Sequence, residues 1–266
     1  MEKPFGRTNV PVPSVWYQLL VPRQTEEGWI APMVDAAVET GAPLDVTDGA
    51  PLWGSRLRGT GASVVVRGGL ELERATEEKA ASEQISAHLI QMLSALGTEK
   101  IDFYYLRVRR ALEESVLNGA MEALESARED GLVRFFGLSA EGSAMAALGL
   151  WQFHDAFESV MVPRNPLDFE AYDTLKDLAQ KRRVGLVTRK PLQWAEGEFA
   201  LELPGAEKQL NDLQNLLASY AAEHSVLVGV RSAQEVRWAQ QATEKTPESD
   251  PALALKPLID HVTTTG

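Results

Sequence analysis

The sequence predicts a (β/α)8 barrel, eight parallel strands closed on themselves and ringed by helices. Three observations carry this expectation. Short β-rich runs alternate with helical runs along the chain. Eight of those runs read as strands that are apolar on both sides, the pattern of parallel strands covered by helices on the outside. The length, 266 residues, suits one such barrel, for which about 250 residues is typical. The whole chain, 1–266, is therefore expected to form a single barrel domain with a short helical tail at its C-terminus.

The elements follow in order. Residues 15–20 are the first expected strand. The helix expected at 26–39 sets Ile30, Met33, Val34, Ala37 and Val38 on one stripe. Strands are expected at 44–47 and 63–66. A long helix over 76–96 repeats Ala81, Ile85, Leu89, Met92, Leu93 and Leu96 at helical spacing and stops at Gly97. The alternation then continues with strand 101–106, helix 112–129, strand 133–138, helix 142–153, strand 159–162, helix 169–181, strand 184–188, helix 206–222, strand 226–230 and helix 233–243. A last short helix is expected over 251–262. One unit looks defective. Between Thr47 and Ser63 the stretch 53–61 is short and Gly-rich, so the second outer helix should be missing or reduced to one turn. Its absence would leave an apolar patch suited to a partner or a second copy. An open doubly wound sheet is the alternative architecture, but no G-x-G-x-x-G follows the first strand.

Composition excludes several functions. There are no cysteines, hence no disulfides, thiolate metal sites or cysteine nucleophile. The net charge of −12 opposes non-specific nucleic-acid binding. The N-terminus lacks the apolar run of a signal peptide, and no stretch reaches the roughly 18 uncharged apolar residues of a membrane span. The expected location is the cytoplasm. No His/Asp/Glu grouping has metal-ligand spacing, so no metal site is expected.

Several stretches resemble the aldo-keto reductase family. Leu93-Ser94-Ala95-Leu96-Gly97-Thr98-Glu99-Lys100-Ile101-Asp102-Phe103-Tyr104 is similar to the family's L-x-x-L-G-x-x-x-I-D-L-Y. Ala123-Leu124-Glu125 through Gly137-Leu138-Ser139 resembles A-L-E-x-L-x-x-x-G-K-V-R-x-I-G-x-S-N. Lys190-Pro191-Leu192, Val228-Gly229-Val230-Arg231-Ser232 and the opening Gly6-Arg7-Thr8 look like further family segments, in the right order. The resemblance implies a TIM barrel of aldo-keto reductase type, an oxidoreductase ancestry and NADPH as a possible cofactor. It also implies a tetrad of Asp, Tyr, Lys and His at the C-terminal strand ends. There the Tyr is the general acid, the Lys lowers its pKa, the Asp holds the Lys and the His orients the carbonyl.

Carried over residue by residue, that tetrad is degraded. Asp48 keeps the Asp position. Trp53 stands for the Tyr, and an indole N–H cannot supply a proton near neutral pH. Arg67 stands for the Lys and Arg107 for the His. Arg is no conservative substitute for a lysine that tunes a pKa. Of the cofactor positions, Ser139 remains and Ala140 replaces the Asn beside it. Met161 falls near the family's glutamine and Arg189 near the aromatic that stacks on the nicotinamide. Glu235 falls near the basic residue for the 2′-phosphate, with Arg231 and Ser232 nearby. The resemblance thus assigns cofactor contact to Ser139, Arg189, Lys190, Gly229, Arg231 and Ser232. His88, His154, His224 and His261 sit in helices or near helix ends, away from the tetrad.

The replacements share a charge. Arg67, Arg107, Arg164, Arg189, Lys190 and Arg231 all fall at or just past C-terminal strand ends, with Arg109 and Arg110 close behind, and that end of a barrel is the ligand face. Guanidinium groups there suit phosphate or carboxylate, so one reading is a site for an anionic small molecule or nucleotide. The other is a plug of ion pairs. In it Asp45, Asp48, Asp102 and Asp168 neutralise the arginines around an Asp48–Arg67 pair. Trp53 and Trp194 are expected in ligand-face loops, able to stack on a ligand. Gly68-Gly69 reads as a loop rather than a phosphate cradle, and Glu77-Glu78 and Glu113-Glu114 as acids at helix N-termini. Three functions stay open. The first is an aldo-keto-reductase-like pseudoenzyme with a binding, regulatory or partner role. The second is a barrel enzyme with changed chemistry using Asp48 and the arginines. The third is a working NAD(P)H-dependent oxidoreductase.

Overall fold

Strand periodicity of two, with both faces apolar, forces these segments into a sheet that is covered on the outside and filled on the inside. The computed structural model describes residues 2–21, 27–141, 144–153, 155–165, 169–192 and 206–246. The chain starts with an antiparallel pair, β1 (Glu2–Pro4) and β2 (Pro11–Pro13). Then come β3 (Val15–Leu19), α1 (Glu27–Glu39), β4 (Leu44–Asp45), α2 (Ala50–Leu57), β5 (Val64–Gly68), α3 (Glu78–Leu96), β6 (Ile101–Val108) and α4 (Glu114–Glu129). The second half runs β7 (Val133–Ala140), α5 (Ala144–Phe153), β8 (Ser159–Pro163), α6 (Glu170–Arg182), β9 (Gly185–Arg189), α7 (Ala206–Glu223), β10 (Ser225–Val230) and α8 (Ala233–Ala242).

Strands β3 to β10 close in sequence order into one parallel barrel, β10 pairing back onto β3. Tyr17 lies opposite Leu44, Val65 opposite Phe103 and Val226 opposite Val15. Followed once around the barrel, these pairings carry Val15 to the level of Arg7, a stagger of eight residues. That is the shear of the (β/α)8 architecture. The expected barrel and all eight expected strands are present. The 251–262 helix, Asp168, Trp194, His154 and His261 lie outside the described residues. Among the described residues no helix is long and apolar enough to cross a membrane.

Alternation along each strand divides the core in two. Trp16, Val65, Phe103, Tyr105, Met161, Val187 and Leu227 point inward and fill the lumen. Their neighbours in sequence, among them Tyr17, Val66, Tyr104, Phe136, Val162 and Val228, point outward and meet the helices. The β1–β2 hairpin closes the N-terminal end. Phe5, between its strands, packs on Trp16 at 5.0 Å and edge-on to Phe103 at 5.7 Å between ring centroids. Gly185 makes room for that ring, since a Cβ there would come within 2.6 Å of it. This hairpin was not expected from the sequence. Its three-residue strands hold Pro4, Pro11 and Pro13, and proline erases both the alternation and the hydrogen-bond signal of a strand.

The second outer helix is shortened, as expected, but not to a single turn: α2 spans eight residues and buries Ala50, Trp53, Gly54 and Leu57. It packs between α1 and α3, so the apolar patch that its absence would have exposed does not exist. Trp53 is accordingly no loop residue poised over a ligand but a fully buried helix residue. Gly54, which reads locally as a loop signal, is a packing requirement. A Cβ there would sit 2.2 Å from the Ala95 carbonyl oxygen near the end of α3. Gly54→Ala therefore sets two effects against each other. Helix propensity would favour alanine by about 1 kcal/mol, whereas the clash with backbone costs about 1–3 kcal/mol as overpacking. The expected outcome is net destabilisation in urea unfolding; a gain in stability would show that α2 can move off α3.

Candidate functional site

Just above the apolar lumen the same inward alternation continues into charge. Asp45 is the last residue of β4, Arg67 and Arg107 are the penultimate residues of β5 and β6, Ser139 is the penultimate residue of β7, and Arg189 ends β9. Glu141, directly after β7, completes the layer, its backbone N–H donating to the Val108 carbonyl at 2.8 Å. All lie at the C-terminal ends of their strands, the end where barrels place ligands.

Glu141 is the hub. Its Oε1 accepts from Arg67 Nη1 at 3.1 Å, from Arg107 Nε at 3.3 Å and from the Ser139 hydroxyl at 3.0 Å. Its Oε2 lies 3.1 Å from Arg189 Nη2. Arg67 has a second carboxylate partner, its Nε donating to Asp45 Oδ2 at 2.6 Å. The other Asp45 oxygen accepts from the Thr47 hydroxyl at 2.6 Å and its N–H at 3.0 Å. Arg189 Nη2 also donates to the Ala140 carbonyl at 2.6 Å. The side chains of Arg67, Arg189 and Glu141 are 6 %, 5 % and 9 % exposed, and that of Arg107 is 23 % exposed. Burial by itself would raise the Glu141 carboxyl, but Arg189, Arg107 and Arg67, with the Ser139 hydroxyl, hold it below the ordinary glutamate value. Burial likewise opposes the charge on Arg67, and Asp45 and Glu141 more than restore it.

The expected ion-pair reading thus holds with a different centre. Arg67 pairs with Asp45 and Glu141, not with Asp48. Asp48 is exposed at the rim and accepts from Gln18 Nε2 at 3.3 Å. Its carbonyl oxygen accepts from the Trp53 indole at 2.7 Å. Asp102 belongs to the opposite end, where it pairs with Lys100 and accepts from the Val64 N–H at 3.1 Å. Arg164, one residue past β8, has outward parity. It forms ion pairs with Glu223 and lies between the Tyr172 and Tyr220 rings, outside the lumen. Arg110 binds Glu73, away from the arginine layer. Lys190 and Arg231 are exposed. Ser232 caps α8 by accepting from the Glu235 N–H at 3.2 Å, and the Glu235 carboxylate accepts from the Arg231 N–H at 2.6 Å. A Cβ on Gly229 would come within 2.8 Å of Leu20. Met161 is a lumen residue.

Glu141 is not among the residues expected from the sequence, because the strand expected at 133–138 runs on to Ala140. With the longer strand, alternation through Gly137 and Ser139 puts Glu141 inward, so the signal was present. His88 lies in α3 with Nδ1 2.9 Å from the Tyr104 hydroxyl, and His224 contacts Thr188. Both are outside the lumen, as expected. Glu77 and Glu113 stand at helix N-termini but neither caps through its side chain. Among the described residues no group of three or more His, Asp or Glu side chains could hold a metal ion.

Because its folded-state pKa is depressed, Glu141 contributes stability that is complete above the unfolded glutamate value, about 4.3. That contribution is lost as pH falls through the lower folded value. Glu141→Gln should therefore cost about 3–5 kcal/mol at neutral pH, the cost of removing one member of a buried charge cluster. It should also flatten the acid limb of stability against pH, read by urea unfolding across that range.

No family model and no curated protein matches the chain. Solved structures do. An aldo-keto reductase from Bacillus halodurans in its holo form superposes with a TM-score of 0.73 at 20% identity, covering 97% of this chain and 95% of that one. An aldo/keto reductase from Brucella melitensis gives 0.71 at 16% identity, with 97% of each chain covered. A thermostable aldo-keto reductase solved with the inhibitor epalrestat gives 0.72 at 18% identity, covering 97% and 99%. Together with the closed eight-stranded parallel barrel, these matches show that the chain has the aldo-keto reductase fold.

Proposed function

We propose that this protein is an aldo-keto-reductase-like barrel of oxidoreductase ancestry that does not perform acid-catalysed carbonyl reduction. Instead it binds an anionic small molecule or nucleotide at its C-terminal face, in a binding or regulatory role. One observation carries the reading: the position of the general acid is buried and committed. Trp53 is fully buried in α2 with its indole N–H donating to the Asp48 carbonyl. The residue at the lysine position, Arg67, is held by two carboxylates. Reduction of a carbonyl needs a proton for the developing alkoxide, and neither indole nor guanidinium supplies one at neutral pH. The lumen tyrosine nearest this layer in sequence, Tyr105, is no substitute. Burial pushes its phenol far above the ordinary range, and Asp45 and Glu158 push it the same way.

The convergence of guanidinium groups supports an anion. Arg67, Arg107 and Arg189 all face one carboxylate, that of Glu141, with Asp45 also on Arg67. Exposed Lys190 and Arg231 add to it at strand ends on the same face. The nicotinamide cofactor that the fold suggests fits these residues poorly. Ser139 is engaged by Glu141. The Glu235 carboxylate already occupies the N-terminus of α8, where a phosphate would otherwise be favoured. We derive no step through that cofactor. Two other readings have an observation each. Asp48 is an exposed carboxylate close enough to Arg67 to act on it, so a changed chemistry would use Asp48 as acid or base. The shared fold itself favours a working NAD(P)H-dependent reductase that takes its proton from water or substrate.

Titration of the full chain with NADPH and NADP by calorimetry, followed by addition of an aromatic aldehyde, separates these readings. The expected result is weak or no cofactor binding and no loss of NADPH absorbance above the protein-free rate. Cofactor oxidation with the aldehyde would establish the reductase reading. Activity on any substrate that Asp48→Asn abolishes without loss of fold would establish the second.

A further inference from the structure

We infer that the three arginines form a carboxylate socket whose resident occupant is Glu141, and that the anion taken here is a small carboxylic acid that enters by exchange with that side chain. The inference rests on the anion-binding reading above and names the ligand class and the competitor.

Three features support it. First, the donors match a two-oxygen acceptor. Arg67, Arg107 and Ser139 converge on one oxygen of Glu141, while Arg189 faces the other. A phosphate would bring a further oxygen and more charge into a layer where Asp45 already holds Arg67, and like charges brought together in a buried layer repel. Second, two of the three arginines are also held by partners other than Glu141. Arg67 is fixed by Asp45, which Thr47 fixes in turn, and Arg189 is fixed by the Ala140 carbonyl. Binding groups held in place by other partners are preorganised and lose little freedom when a ligand arrives. Third, the occupant can leave when another carboxylate takes its place. Glu141 lies past the end of β7 with its backbone anchored to Val108, so its side chain can swing out without breaking the barrel. Arg107, the most exposed of the three guanidiniums at 23 %, marks the entrance. Charge balance is preserved, since one carboxylate replaces another.

Exchange with an internal group weakens the apparent affinity by the fraction of time the socket is open. The test compares wild type and Glu141→Ala, titrated by calorimetry and thermal shift with sodium acetate, sodium pyruvate and inorganic phosphate at constant ionic strength. The unliganded variant should melt below wild type. Acetate or pyruvate should raise its melting temperature and bind it at least about tenfold tighter than wild type, the competitor being gone. Wild type should bind the same carboxylates more weakly, and Arg107→Gln should weaken that binding again. Phosphate binding to Glu141→Ala as well as the carboxylates do would overturn the proposal. So would wild type that takes neither carboxylate even at high millimolar concentration, because Glu141 would then be a fixed strut. If Glu141→Ala does not fold, the wild-type and Arg107→Gln titrations decide alone. A nucleotide that binds wild type where carboxylates do not would leave the anion reading standing and remove only the socket.

Discussion

The arrangement at the mouth depends on a carboxylate withdrawn from water among three guanidinium groups. Moving charges into a barrel end is costly unless each is paired and its remaining hydrogen-bonding positions are met. Glu141 meets that condition by sharing two oxygens among Arg67, Arg107, Arg189 and Ser139. Asp45 meets it by dividing its oxygens between Arg67 and Thr47. Five strands supply these residues, so the cluster ties β4, β5, β6, β7 and β9 together where the apolar packing of the lumen stops.

That position separates the charged mouth from the packing that closes the barrel. The lumen is filled from below by the Phe5, Trp16, Phe103 and Phe135 rings and above them by Val65, Tyr105, Met161, Val187 and Leu227. These apolar layers hold the barrel closed whatever stands at the mouth. Within such a scaffold the groups at the mouth can vary while the barrel stays the same. Function then follows the groups at the strand ends rather than the architecture. At the two places of this face where an anion would be drawn, the arginine cluster and the start of α8, the chain supplies Glu141 and Glu235.

Much of the fold was legible in the sequence. Apolar runs separated by helical stripes gave all eight barrel strands, and the helices around them fell close to their observed bounds. The stretches that failed did so for identifiable reasons. The β1–β2 hairpin is built on prolines, which carry no alternation. Helix α2 contains Pro51, Trp53 and Gly54, poor helix formers by local propensity, and it forms because Trp53 fills a buried site and Gly54 lets α3 approach closely. At the mouth, the arginines could be placed at strand ends by counting, but their direction required strand lengths to the residue. An error of two residues at the end of β7 hid Glu141.

By itself, then, the sequence determined the barrel and the concentration of arginines at the C-terminal ends. Both follow from residue identity and local periodicity. The tertiary structure decided which arginines face inward and which carboxylates they meet. Arg67 chose Asp45 and Glu141 over Asp48, and Arg164 left the mouth for Glu223. The physical reason is that pairing across a barrel depends on strand parity and on the eight-residue stagger accumulated once around it. These relations join residues far apart in the chain, and no local pattern encodes them.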